Sequence, residues 1–255
     1  MTIISIANRK GGTGKTTTAL NLGAEEAARG KKTLLIDLDT QGHLAWGLGF
    51  KGEKDFPVYI HKLFEDKNFD LKDAVYETPF ENLYLAPADV NFINNPQKKI
   101  EVDLLKRSLD KYIKENNIDM VIIDTPPTLD IFMLSALVAS DVVLIPFLPH
   151  FLAAVGVKQM AKLFYKVAVK YNTNLRLLGL VPVMVNKRIG MHKKVIEELT
   201  KVFGKNRMLR GIRTNVKLAE AFLAGIPVRY YAPKSAGSMD YYLLTEEIHM
   251  LIGEK

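Results

Sequence analysis

Residues 8–18, Asn8-Arg9-Lys10-Gly11-Gly12-Thr13-Gly14-Lys15-Thr16-Thr17-Thr18, decide how the rest of the chain is read. The second half ends in the Gly-Lys-Thr of a phosphate-binding loop, whose usual form is G-x-x-x-x-G-K-[ST]. Counting back from Gly14, the opening glycine falls at position 9, where the chain has Arg9, and Lys10 follows at once. Two cations therefore stand where bare backbone is usual. Gly11, Gly12 and Gly14, with Thr13 among them, let backbone N–H groups turn toward one anionic centre. An apolar run precedes the loop and an amphipathic pattern follows it, so a helix N-terminus points at the same place. In that setting Lys15 reaches the terminal phosphates of a nucleotide, the Thr16 hydroxyl binds Mg²⁺, and Thr17 donates to the α-phosphate.

Outward from the loop, runs rich in Ile, Leu and Val recur at residues 3–7, 33–38, 83–87, 120–124, 142–146 and 177–185. Their unbroken hydrophobicity predicts strands covered on both faces, as in a parallel sheet. Helical patterns alternate with them at 16–29, 102–115, 129–140, 157–171, 191–203, 216–224 and 238–252. The expected fold class is α/β: a single doubly wound, mostly parallel sheet with helices on both faces. Ligands then lie outside the carboxyl ends of the strands. There is no repeat, low-complexity tract or linker, so residues 1–255 read as one domain.

One strand-terminal carboxylate belongs with the loop. In "MVIIDTPP", Asp124 follows four apolar residues, the Walker B arrangement, and is expected to hold the Mg²⁺ shell. Thr125, Pro126 and Pro127 then form a stiff loop placed to move with the γ-phosphate.

Composition narrows the class. The absence of cysteine excludes disulfides and thiolate metal sites. The N-terminus carries no basic lead or cleavage site, and no apolar run approaches the roughly 18 residues of a membrane span, so a soluble cytoplasmic protein is expected. Net charge is +7, but residues 151–234 hold 17 Lys or Arg against 3 acids, and the remainder of the chain sums to −7. Charge segregated in this way points to an anionic polymer or surface as partner. The five histidines have no mutual spacing of a metal site.

Lys10 carries the resemblance. A lysine five residues before the loop lysine gives K-G-G-x-G-K-[ST]-T, the deviant phosphate loop, and the chain resembles the ParA/MinD superfamily of dimeric ATPases. The resemblance implies that Lys10 reaches across a two-fold interface to the partner's nucleotide. A cation supplied in trans neutralises charge on the transferred phosphoryl only when two subunits meet around ATP. Gly11 and Gly12 then also allow two loops to approach closely. In "LLIDLDTQGH" the resemblance places Asp39 as the residue that orients the attacking water, close to the Mg²⁺ shell, with Asp37 behind it; Thr40 stands where proline is usual. It also implies that Asn186 hydrogen-bonds adenine and that Pro233, in "RYYAPKSAG", packs against the base. Asn186 also reads as a turn residue.

The stretch "TNVKLAEAFLAGIPVRYYAPKSAGSMDYYLLTEEI" is similar to the ParA-type partition ATPases, and the lack of an extra N-terminal domain points to the short, Soj-like branch. That likeness implies an ATP-dependent homodimer on non-specific double-stranded DNA, located on the nucleoid and switched off by a ParB-like centromere-binding activator. The cargo is a chromosome, a plasmid or another DNA-tethered body. Positions matching basic DNA contacts are Arg188, Lys217 and Lys234, with Arg210 and Arg213 just before Asn215. Alternatives are a MinD-like membrane ATPase, an orphan relative positioning a protein cargo, and a nucleotide binder that never hydrolyses. The acidic tail speaks against membrane docking and favours burial of Tyr241, Leu244, Ile248 and Leu251; missing cysteine excludes the cluster- and zinc-bearing relatives. Two features read two ways. Lys158, Lys162, Lys166 and Lys170 form either a solvated helix face or a phosphate-tracking ridge, at a cost of roughly 0.2–0.5 kcal/mol per like-charged pair. Trp46 reads as local core or as part of a dimer face.

Overall fold

Strand ends set the stage for the site. In the computed structural model, which describes residues 1–51, 55–66, 68–93 and 100–253, the strands are β1 (Thr2–Ile6), β2 (Thr33–Asp37), β3 (Tyr76–Glu77), β4 (Leu83–Ala86), β5 (Met120–Asp124), β6 (Val142–Phe147) and β7 (Arg176–Pro182). They form one sheet in the order β3-β4-β2-β5-β1-β6-β7. All pairings are parallel except that of β3 with β4. The helices are α1 (Lys15–Ala27), α2 (His43–Gly47), α3 (Lys62–Glu65), α4 (Leu104–Asn116), α5 (Ile131–Ala139), α6 (Ala153–Lys170), α7 (Gly190–Phe203), α8 (Val216–Ala224), α9 (Val228–Tyr231) and α10 (Ala236–Ile252).

The period of two along each strand divides the core. Ile4, Ile6, Leu35, Ile122 and Leu144 face one side, where α1, α2, α8 and α10 cover them. Ile3, Leu34, Ile36, Val121 and Ile123 face the other, beneath α3, α4 and α5. Val143, Ile145 and Leu180 continue that second face toward the β7 edge, under α5, α6 and α7. Both faces are thus apolar, which is why the strands read as continuous hydrophobic runs.

Helix starts follow local hydrogen bonding. Asp130 accepts from the N–H groups of Phe132 and Met133 at the head of α5, Asn215 accepts from Lys217 at α8, and Ser235 accepts from Ser238 at α10. Several expectations shift. The last strand ends at Pro182 rather than 185, because Met184 takes a left-handed φ of 53° that no strand accommodates. Helix α6 begins four residues earlier than expected, at Ala153. Strand β3 and helices α2, α3 and α9 span two to five residues each and carry too few side chains to display a period. In α10, Tyr241, Leu244 and Ile248 are buried as expected, but Leu251 lies in the last turn, past the edge of the core, and is exposed. Trp46 is 60% exposed, which corrects its reading as local core: short α2 turns the indole outward.

Candidate nucleotide-binding site

The carboxyl ends of β1, β2 and β5 finish level. Ile6 and Asp37 are both register partners of Asp124, so the strand that feeds the loop and two carboxylate-bearing strands deliver to one edge of the sheet. The buried Thr125 hydroxyl donates to the Ile6 carbonyl at 2.9 Å. On the other flank Asn8 donates through Nδ2 to the Pro146 carbonyl at 2.7 Å, and its Oδ1 accepts from the Lys10 N–H at 3.1 Å. The loop entrance is therefore pinned between β5 and β6. Asn8 and Thr125 flank the two motifs, and the rule that ligands gather at strand carboxyl ends is the signal that marks them.

Between these anchors Gly12 and Gly14 adopt φ of 70° and 75°, conformations that cost any residue with a Cβ. A Cβ placed at Gly11 or Gly12 meets nothing within 4 Å, so the backbone there faces open space. Helix α1 starts at Lys15 with no side-chain cap and no acid in its first turn. Its first N–H groups are left for an anion. The Thr13 hydroxyl donates to the Lys10 carbonyl at 3.2 Å and tightens the loop.

Charge converges under this cradle. Lys15 is only 6% exposed; burial lowers its pKa, against which Asp124 and Asp39 pull upward. Asp124 is fully buried, and its pKa is pushed up to about 7 by burial, with Asp39 adding to the rise, while nearby Thr16 and Lys15 oppose it. Thr16 is close enough to influence the carboxylate, yet neither Asp124 oxygen has a partner in hydrogen-bond geometry. A buried carboxylate with two unpartnered oxygens beside a threonine hydroxyl fits a hard divalent cation, one that keeps waters and takes other ligands from substrate phosphates. No group of three or more acidic or histidine side chains is placed to hold a metal ion among the described residues, so the protein alone builds no cage. Asp37 accepts from the N–H groups of Asp39 and Leu44 at 3.0 and 3.1 Å. Burial and then Asp124 raise its pKa well above the usual carboxylate range. It shapes the turn that presents Asp39, which in turn accepts from the Gln41 N–H at 3.1 Å.

A cavity of about 400 Å³ is lined by Gly11, Gly12, Thr13, Gly14, Lys15, Thr16, Thr17, Asp39, Gln41, His43, Pro127, Met184 and Phe222. The expected loop residues and Asp39 thus meet in one place, with Asp124 buried alongside Lys15 and Thr16. Three expected residues do not line it. Lys10 points away: its Nζ meets Nε2 of His150, just past β6. Burial, then Lys10 and His192, hold the His150 imidazole below its ordinary pKa. Asn186 is exposed and its Oδ1 accepts from the Arg188 N–H at 2.9 Å, the turn role rather than a base contact. Pro233 lines a separate surface hollow with Lys217 and Lys234. Where a base was expected, Met184 and Phe222 lie beside the loop; they come from the segment after β7 and from α8, and no local spacing in the sequence announces them. A second cavity of about 410 Å³, lined in part by Trp46, Phe50, Phe56 and Tyr59, shares Gln41, His43 and Phe222 with the first.

The candidate DNA contacts divide. Arg188, Arg210 and Lys234 are exposed. Lys217 is exposed and pairs with Glu220 at 2.6 Å. Arg213 is committed elsewhere: its Nε and a terminal nitrogen bracket the buried Asp240 at 2.9 and 2.7 Å.

Residues 1–177 match the model of a family described as an AAA domain. The chain is 37% identical over 251 residues to the sporulation initiation inhibitor protein Soj of Bacillus subtilis, covering 96% of this chain and 97% of that protein. It is 33% identical over 251 residues to the chromosome-partitioning ATPase Soj of Thermus thermophilus, covering 98% and 96%. Among solved structures, the cobyrinic acid a,c-diamide synthase of Mycobacterium smegmatis with bound ADP and magnesium superposes with a TM-score of 0.81 at 28% identity, over 100% of this chain and 98% of that one.

Proposed function

Because the chain belongs to the Soj/ParA family of partitioning ATPases, we propose that residues 1–255 act as one ATP-driven unit, a homodimer with ATP that holds double-stranded DNA without regard to sequence and lets go on hydrolysis. The observation that carries this reading is the open glycine cradle above buried Lys15 and the unpartnered Asp124. ATP is the substrate; Thr16 and Asp124 are the residues that would hold Mg²⁺, and the ion's contribution is to neutralise phosphate charge. The loop N–H groups and the α1 terminus bind the polyphosphate, Lys15 meets its terminal charge, and Thr17 donates to the α-phosphate. Asp39, fixed by the turn that Asp37 caps, orients a water toward the γ-phosphate and accepts its proton at a carboxylate oxygen. Met184 and Phe222 offer the base an apolar wall in place of Asn186 and Pro233.

Lys10 makes the switch. In one subunit it rests on His150; across a two-fold axis it turns to the partner's phosphates, so that fuel state sets pairing. DNA is held by Arg188, Arg210, Lys217 and Lys234, with Arg213 acting through the packing of α10. The partner that triggers hydrolysis is a ParB-like centromere-binding protein, and the cargo is a chromosome, a plasmid or a DNA-tethered complex; the same switch serves each. The setting is the cytoplasm, on the nucleoid. No helix among the described residues is long and apolar enough to cross a membrane, and the burial of Tyr241, Leu244 and Ile248 commits that stripe of α10 to the core rather than to a bilayer. Sedimentation of wild type and Asp39→Ala with ATP, with and without duplex DNA, tests the reading. A long-lived ATP dimer of the variant that moves onto DNA is expected; a variant that stays monomeric in ATP contradicts it.

A further inference from the structure

The outer face of α6 has no role in the site described above, and its chemistry is unusual. Lys158, Lys162, Lys166 and Lys170 recur every four residues and all are exposed, and the helix contains no acidic residue. Like charges at that spacing destabilise a helix unless something outside it compensates. Lys158 finds Glu198 of α7 at 3.3 Å. Among the described residues no carboxylate pairs with Lys162, Lys166 or Lys170. Lys170 lies over the Tyr171 ring, 4.9 Å from its centroid, a contact that holds the stem and leaves the charge. Helix α7, packed beside α6, adds Lys194 and Lys201 to the same field.

We propose that this ridge is a second DNA-binding surface, which engages the phosphodiester backbone of a duplex through Lys162, Lys166 and Lys170. The inference rests on the DNA-binding reading above and extends it to a separate place. Helix α6 covers one face of the sheet, whereas α8, which carries Lys217, covers the opposite face. Each four-residue step raises the next lysine by about 6 Å along the helix. A duplex carries a negative charge about every 1.7 Å of its axis. A row of such cations therefore meets several phosphates wherever it lands, with no demand on sequence. An anionic membrane is the less suitable partner. The apolar stripe of α6, Val157, Met160, Leu163 and Val167, is buried in the core, and exposed Val155, Tyr165 and Val169 are interspersed with the lysines on the outer face, which leaves no separate apolar side to insert into a bilayer.

The test is DNA binding by the full chain with a non-hydrolysable ATP analogue, titrated from low to high salt on two unrelated duplexes. Changing Lys162, Lys166 and Lys170 together to Gln should lower the slope of log K against log salt by about three and weaken binding roughly 10²-fold at 0.15 M salt on both sequences. The matching triple change to Arg should restore the slope, and nucleotide-dependent sedimentation of both variants should be unaltered. An unchanged slope in the Gln variant overturns the ridge, as does a variant that loses phosphatidylglycerol vesicles while keeping DNA. If wild type itself ignores DNA, the underlying reading fails as well. If Lys217→Ala with Lys234→Ala weakens binding and the ridge variant does not, only this inference fails.

Discussion

Two residues apart on one turn, Asp37 and Asp39 meet different surroundings. Asp37 is sealed, with one oxygen accepting from the Asp39 N–H and the other from the Leu44 N–H; Asp39 faces the cavity with the loop glycines. Asp39→Ala should therefore leave nucleotide binding near wild type and reduce phosphate release about 10²-fold or more, measured by steady-state turnover with DNA present. Asp37→Ala should instead loosen the turn and cost about 1–3 kcal/mol in urea unfolding, because two buried N–H groups lose their acceptor. Arg213 makes a similar contrast with Lys217. Arg213→Ala leaves the Asp240 carboxylate buried beside a single backbone donor and should cost about 1–2 kcal/mol of stability, whereas Lys217→Ala should cost almost none. That Lys15, Thr16 and Asp124 would converge was legible because a phosphate loop and a strand-terminal carboxylate follow fixed patterns, while Asp39 was placed by the family resemblance alone. His150, Met184 and Phe222 were not legible, since tertiary packing alone brings the segments after β6 and β7, and α8, to the loop. Arg213 is a further case: the sequence shows a cation in a basic stretch, and only the fold shows its buried partner, 27 residues away.

At the scale of elements, the short helix α3 is held by a histidine in an apolar box. His61 is buried against Phe64, Phe92 and Phe132, and its Nδ1 accepts from the Asp89 N–H at 3.1 Å. Burial lowers its pKa to about 4, below the ordinary value near 6.5. The folded ring thus stays neutral while the unfolded chain takes up a proton first as pH falls. The contribution is complete above about pH 6.5 and is lost on acidification toward 4, amounting to about 3 kcal/mol at most. Chemical unfolding at pH 7, 6, 5 and 4 should show this decline, and His61→Phe should flatten it; an equally steep decline in the variant would remove His61 as the cause. On the other face, buried glutamates tie α1 to its neighbours: Glu26 meets His249 of α10 at 2.8 Å, and Glu25 pairs with Arg229 of α9 and, locally, with Arg29 at 3.2 Å. The long strands and helices were legible because two apolar faces demand continuous or 3.6-residue patterns. The pieces that escaped, β3, α2, α3 and α9, are shorter than one period can reveal.

For the whole molecule, the cations gathered between residues 151 and 234 lie on both faces of the sheet, in α6 and α7 on one and at Lys217 of α8 and Arg229 of α9 on the other. That distribution was visible in the sequence as a composition, while its division between two surfaces became apparent only from the strand order. The nucleotide cavity opens at the level carboxyl ends of β1, β2 and β5, and Lys10 stands at its entrance, directed away from its own Lys15 and toward His150. The account turns on whether that ammonium serves a second copy. Lys10→Ala and Asp39→Ala should each abolish turnover alone. In a mixed dimer, the site that keeps its own Asp39 on the Lys10→Ala chain receives Lys10 from the Asp39→Ala chain. Mixing the two variants in equal amounts should therefore restore turnover to about a quarter of wild type, since half of the dimers are mixed and each has one complete site of two. A mixture as inactive as either parent, under conditions where sedimentation shows that mixed dimers form, would contradict the crossing of Lys10 between subunits.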